Sequence, residues 1–72
     1  MLKMRQIRDA RGLSLAALCG LTGIGEATLS RIEREHIFPY PGWRRRISEA
    51  LGVPEDEVFT TEVSEDEAET RS

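Results

Sequence analysis

The chain of 72 residues has a single cysteine, Cys19, so no disulfide can form within it. Such sparing use of cysteine suits a reduced compartment, and a cytoplasmic location is expected. There is one histidine, His36, and no His/Cys cluster at metal-ligand spacing, so neither a metal nor a cofactor is expected. No apolar run approaches the roughly 18–20 residues that cross a bilayer, which argues against a membrane partner. The opening stretch, MLKMRQIRDARG, is charged and periodic and lacks the apolar centre of a secretory signal. Paired acids are missing from the body of the chain, and the serial acids at 55–57 and 62–69 are solvated. Catalysis is therefore not expected, and a small helical domain has no room for a substrate pocket of ordinary size.

The net charge of −3 hides an uneven distribution. Residues 1–54 hold nine Lys/Arg against five Asp/Glu, a net +4, whereas residues 55–72 hold one Arg against eight acids, a net −7. A mildly basic body thus carries an acidic end. The asymmetry suits a nucleic-acid binder, and it also suits any small domain with a solvated tail.

The stretch 14–34, SLAALCGLTGIGEATLSRIER, reads as two short helices around a tight turn. Leu18 and Leu21 form one apolar stripe and Leu29 and Ile32 another, with Ile24 between them. Gly23 sits at the turn, where positive φ is needed. Cys19 is small where the second helix must approach the first, and it packs as a small hydrophobe. This is the layout of a helix-turn-helix, whose second helix can enter a DNA major groove.

Around this pair the pattern predicts three further helices. The first spans about 2–11, with Met4 and Ile7 inward, Gly12 ending it and Leu13 packing beneath. Ser14 caps the second, about 15–21. The third spans about 25–34. A loop at 35–42 with two prolines precedes a fourth helix at about 42–51, with Trp43, Ile47, Ala50 and Leu51 on one face and Gly52 at its end. Pro54 opens a last turn, 54–59, whose Val58 and Phe59 cover the core. The domain is thus expected to cover residues 1–59. Residues 60–72 are expected to be a disordered acidic tail that competes weakly with phosphate for the basic body.

These residues together resemble the DNA-binding domain of the phage-repressor/Cro family, the xenobiotic-response-element class of helix-turn-helix regulators. The match runs through Met4-Arg5, Ile7-Arg8, Arg11-Gly12-Leu13-Ser14, Leu18, Gly23-Ile24, Thr28-Leu29-Ser30-Arg31-Ile32-Glu33-Arg34, Pro39, and Ile47 to Ala50-Leu51-Gly52-Val53. The resemblance implies an all-α, compact five-helix, lambda-repressor-like fold. It also implies that Arg8 and Glu33 form a partly buried ion pair tying the first helix to the third.

Several positions depart from the family pattern. Leu15 stands where the family has a phosphate-contacting Gln. Glu35-His36 replaces a common Gly-Lys, and the apolar pair Ile37-Phe38 follows it. Glu26 and Ala27 occupy the first turn of the third helix. There Glu26 either accepts from a cytosine amino group or marks a helix that does not read DNA.

As base-contacting candidates the resemblance supplies Glu26, Ala27, Thr28, Ser30 and Arg31, with Arg31 suited to fork onto a guanine edge. Ser14, Arg34, His36, Arg44 and Arg45 are the phosphate candidates. Ser14 with the free N–H groups of its helix makes a natural phosphate seat as well as a cap. His36 reads first as a loop residue. Arg44-Arg45-Arg46 fan out by about 100° per residue, so only one or two can face one partner. Trp43 and Phe38 could stack on each other, cover the core or form an exposed patch, with the core the expected place for Trp43.

The expected function is sequence-specific binding of double-stranded DNA by a transcriptional regulator, as a repressor and a homodimer. Its contact would be the helix-five end around Val58 and Phe59 or the Ile37–Phe38 loop. The alternative is a protein-interaction module on the same scaffold, binding a polymerase subunit, a repressor or a toxin.

Overall fold

Ser14 and three left-handed residues divide the chain into its first helices. In the computed structural model, which describes residues 1–61, α1 spans Lys3–Ala10, α2 Leu15–Thr22, α3 Glu26–Glu33, α4 Pro41–Leu51 and α5 Glu55–Val58. Each lies within one residue of its expected span at either end. Among the described residues the only β pairing is an isolated antiparallel bridge between Leu2 and Thr61. The fold is the all-α, five-helix one expected. Helix α2 packs on α3 and α4, α1 on α3 and α5, and α4 on α5.

Three helices end in the same way. After α1, Gly12 N–H donates to Asp9 O and Leu13 N–H to Arg8 O, at 3.0 and 3.1 Å. After α4, Gly52 and Val53 N–H both donate to Ser48 O, at 2.8 and 3.2 Å. After α3, Glu35 N–H donates to Ile32 O and His36 N–H to Arg31 O, at 3.0 and 2.9 Å. Such endings need a left-handed residue, ordinarily glycine, to bring the chain back over the last carbonyls. Gly52 meets that need at φ 70°, but the third case uses Glu35 at φ 63°. The Glu35-His36 departure therefore keeps the backbone of a glycine ending with a charged side chain on it.

Met4, Leu18, Leu29, Ile32, Ile47, Leu51 and Val58 are fully buried, and Leu2 and Ile24 nearly so. Leu21 corrects the expected stripe, because it is 61 % exposed and Thr22 is buried in its place. At 100° per residue, Leu15, Leu18, Cys19 and Thr22 span one inward arc, and Leu21 falls outside its edge. Cys19 and Trp43 are partly buried against the core. The Trp43 ring meets Tyr40, not Phe38, in a T-shaped contact at 4.8 Å. Phe38 is 97 % exposed.

The two ends of the described chain meet beside α3. Leu2 N–H donates to Glu33 O at 2.9 Å and Lys3 N–H to Thr60 O at 2.8 Å. The Glu35 carboxylate receives the Met1 ammonium at 3.0 Å and the Thr61 hydroxyl at 2.6 Å. Thr60 and Thr61, expected in the tail, thus belong to the folded body, since their backbone and hydroxyl groups pair with the first residues and with Glu35. The rest of the expected tail, residues 62–72, lies outside the described residues.

Arg8 and Glu33 are the charged pair of the interior, with side chains 10 % and 5 % exposed. Arg8 Nε donates to Glu33 Oε2 at 2.8 Å and Nη2 to Oε1 at 3.5 Å, while Nη1 donates to Leu13 O at 2.6 Å. The hydrogen bonds to Glu33 outweigh the effect of burial and raise the Arg8 pKa above its ordinary value.

Two outcomes follow from these contacts. Arg8→Met alone strands the Glu33 carboxylate and should cost about 3–5 kcal/mol in urea unfolding, whereas Arg8→Met with Glu33→Leu should recover a large part of that loss. A double variant as unstable as the single would refute the account. The Thr61 hydroxyl, and after it the amino terminus, hold the Glu35 pKa below its ordinary value. Its contribution is therefore complete above the ordinary carboxylate range and lost as pH falls through the lowered folded value. The stability gap between the wild type and Glu35→Gln should close below about pH 4. A gap that widens in acid would show that the contact does not titrate in this way.

Candidate nucleic-acid interface

Two short-range devices shape the turn between α2 and α3. At the start of α2 the Ser14 hydroxyl accepts from Ala17 N–H at 3.0 Å, the cap the sequence implied. The first N–H groups of a helix have no partner within it, and Ser14 answers only one of them. At the end of α2, Gly23 turns left-handed at φ 75° and donates to Cys19 O at 2.8 Å. Thr22 then fixes the exit. Its hydroxyl donates to Leu18 O at 2.8 Å and accepts from Ile24 N–H at 3.2 Å. Ile24 is buried in consequence, which drives the turn into the core and sends the chain out again at Gly25 as the N-cap of α3. Sequence reading missed Thr22, whose buried hydroxyl was signalled only by its place at the end of the stripe.

Helix α3 buries Leu29, Ile32 and Glu33. The opposite stripe is Ala27, Arg31 and Arg34, spaced by four and three residues and all exposed. Thr28 and Ser30 are half-buried on the two flanks of that stripe, and Glu26 is exposed in the first turn. The five base candidates therefore do not share one face equally. Ala27 and Arg31 are central, and Arg34, a phosphate candidate, lies on the same line. Glu26 sits at the positive end of the helix dipole and Arg31 in the last turn, at the negative end, both favourable places.

Charge pairing separates the arginines. Arg5 lies 3.8 Å from Asp9, Arg8 pairs with Glu33, Arg44 lies 3.3 Å from Glu55, and Arg45 lies 3.9 Å from Glu49. Arg11 Nε donates to the Leu51 carbonyl at the end of α4. Arg31 and Arg34 on α3, and Arg46 on α4, make no ion pair among the described residues.

The remaining phosphate candidates are spread out. Arg45 is exposed along α4, and His36 is exposed in the loop after α3. Arg44 turns toward α5, its guanidinium carbon 5.0 Å above the Phe59 ring. Leu15, where the family has Gln, is half-buried against the core, so its side chain is engaged inward.

The expectation that so small a domain leaves no room for a pocket is corrected. A groove of about 420 Å³ opens between the start of the chain, the loop after α3, and Phe59. Met1 and Thr61, the two ends of the described chain, meet at Glu35 on its wall.

A family model described as a helix-turn-helix domain matches residues 2–59. The chain belongs to that helix-turn-helix domain family. It is also similar to the HTH-type transcriptional regulator SutR of Escherichia coli (strain K12), being 35 % identical to it over 69 residues. The match takes in 96 % of this chain but only 36 % of the relative, so the chain spans about a third of that protein's length.

Thr22→Val keeps the shape of the buried side chain but removes the partner of Ile24 N–H. It should cost about 1–3 kcal/mol, against within about 0.5 kcal/mol for Leu21→Ser at the exposed neighbour. Comparable losses at the two positions in denaturant melts would contradict the assigned register of α2.

Proposed function

We propose that this chain is a sequence-specific double-stranded DNA-binding domain of a transcriptional regulator, acting as a repressor in the cytoplasm with no cofactor. The observation that carries this is the outward stripe of α3. It presents two arginines that have no acidic partner among the described residues, on the helix that a helix-turn-helix places in the major groove. In this reading Arg31 forks onto a base edge, Ala27, Thr28 and Ser30 line the same groove, and Glu26 accepts from a cytosine amino group. Arg34, Arg45, His36 and Ser14 hold phosphates to either side. Arg44 contributes less, because Glu55 and Phe59 already engage it. A two-fold dimer on a palindromic site supplies the affinity that one small domain lacks.

One observation favours a second reading. Phe38 is almost wholly exposed beside an apolar groove, which suits a protein-interaction module on the same scaffold.

Selection from randomised duplex DNA at two salt concentrations separates the two readings. The first expects an enriched motif, and the second expects none. With the selected site in hand, Arg31→Ala should cost about 1–3 kcal/mol at one base position and relax preference there. Arg34→Ala should weaken all sequences alike and reduce the salt slope by about one unit. If both variants affected cognate and random duplexes equally, Arg31 would not be reading a base.

A further inference from the structure

The last described residue stands on the wall of the groove. Thr61 lines it together with Leu2, Ile32, Ile37, Phe38 and Phe59. Leu2 and Thr61 form an antiparallel bridge, and residues directly opposite in such a pair put their side chains on one face. Leu2 is buried, and the Thr61 hydroxyl donates to Glu35 Oε1 at 2.6 Å, so that face is the groove side. The direction of the chain is set as well. Running antiparallel to residues 2 and 3, it leaves Thr61 beside Met1, whose ammonium is 3.0 Å from Glu35 Oε2. It therefore heads for the loop that follows Glu35.

Two residues further on comes Val63, the only aliphatic residue beyond alanine in 62–72. A strand repeats its facing every second residue and advances about 3.3 Å per residue. In the direction set by the bridge, Val63 shares the face of Thr61 and lies about 7 Å beyond it. At that end the groove presents Ile37 and Phe38, and Phe38 is 97 % exposed. Glu62 falls on the opposite face, toward water. After Val63, four of the next six residues are acids, Glu65, Asp66, Glu67 and Glu69. Their complement is close. Arg34 immediately precedes Glu35, and Arg31 lies about 4.5 Å further back along the helix axis. Both are exposed and have no acidic partner among the described residues. An extended segment covers about 3.3–3.6 Å per residue, so residues 65–69 are long enough to reach both.

We propose that residues 62–69 form a strap over their own domain, in which Val63 seats in the groove against Ile37 and Phe38 and the acids after it lie over Arg34 and Arg31. The strap thereby occupies the two arginines assigned to DNA, a consequence that rests on the reading of α3 given above. One valine and a few exposed ion pairs hold weakly by themselves. Tethering to the same chain raises their effective concentration to the millimolar range, which makes the strap a mild competitor of DNA. Salt loosens its charged half and leaves its apolar half in place.

The test is nuclear magnetic resonance of the full chain without DNA. The Val63 methyls should be moved upfield by the Phe38 and Phe59 rings and show cross-peaks to Phe38, unchanged from about 1 mM down to about 50 μM, a range in which a weak contact between copies would dissociate. Phe38→Ala and Val63→Ser, both outside the core, should abolish those cross-peaks. Joint replacement Glu65→Gln, Asp66→Asn, Glu67→Gln and Glu69→Gln should shift the Arg31 and Arg34 Nε–H signals at low salt. Val63 methyls at their free-peptide position would overturn the proposal, whether the groove stays open or takes a different protein. So would cross-peaks that vanish on dilution, which would make a second copy the donor of the strap, or arginine signals that ignore the acids. With a duplex in hand, Val63→Ser and the joint variant should each bind it about threefold to tenfold more tightly at low salt, and equal affinity would refute the competition. A chain that binds no duplex would fail the DNA reading, while the Val63 and arginine signals still decide this one.

Discussion

A guanidinium taken out of water has to be met by acceptors around its plane, and each group that meets it loses freedom to move. Arg8 draws three segments together in this way. It rises from α1, holds the Leu13 carbonyl in the link to α2, and takes the Glu33 carboxylate of α3 in a two-pronged contact. The consequence for α3 is rotational. Glu33 stands beside Ile32 and one turn beyond Leu29, and all three are buried. Turning the helix by one residue, about 100°, would either drive Ser30 and Arg34 inward in place of Leu29 and Ile32, or expose Glu33 and drive Thr28 and Arg31 inward. The outward stripe of Ala27, Arg31 and Arg34 is thus fixed by what lies on the opposite side of the helix.

The same helix sets the other surface through its end. A non-glycine residue in the left-handed region costs about 1–2 kcal/mol. Glu35 accepts that cost at the position where a glycine would be neutral, and its carboxylate then receives an ammonium and a hydroxyl from the two ends of the described chain. The contacts are exposed, so each contributes modestly. Their effect is mainly geometric. They hold residues 1–2 and 60–61 against the loop after α3, and the groove exists because those segments are held there.

Where local pattern alone decides structure, the sequence was readable. Helix ends at Gly12, Gly23 and Gly52, the Ser14 cap and the buried run from Leu18 to Val58 follow from turn chemistry and periodicity. The Arg8–Glu33 contact was legible only through family resemblance, since no local rule links positions 25 residues apart. The Leu21 error came from treating hydrophobicity as the sole sign of an inward face. Thr22 earns its buried place by satisfying Leu18 O and Ile24 N–H, and a hydroxyl with two good partners can stand where a leucine was expected. Arg11 at the Leu51 carbonyl, Thr60 and Thr61 on the first residues, and the groove itself all depend on segments far apart in the sequence meeting. A pattern read along the chain carries no sign of that.

The two surfaces adjoin at a single turn of backbone. Arg34 closes the outward stripe of α3, and the next residue, Glu35, opens the groove wall. The backbone between them is pinned by the hydrogen bonds that end the helix, so the stripe and the groove cannot shift independently. Apolar Ile37 and Phe38, in place of the polar residues commoner in the family, line the groove on the far side of that turn.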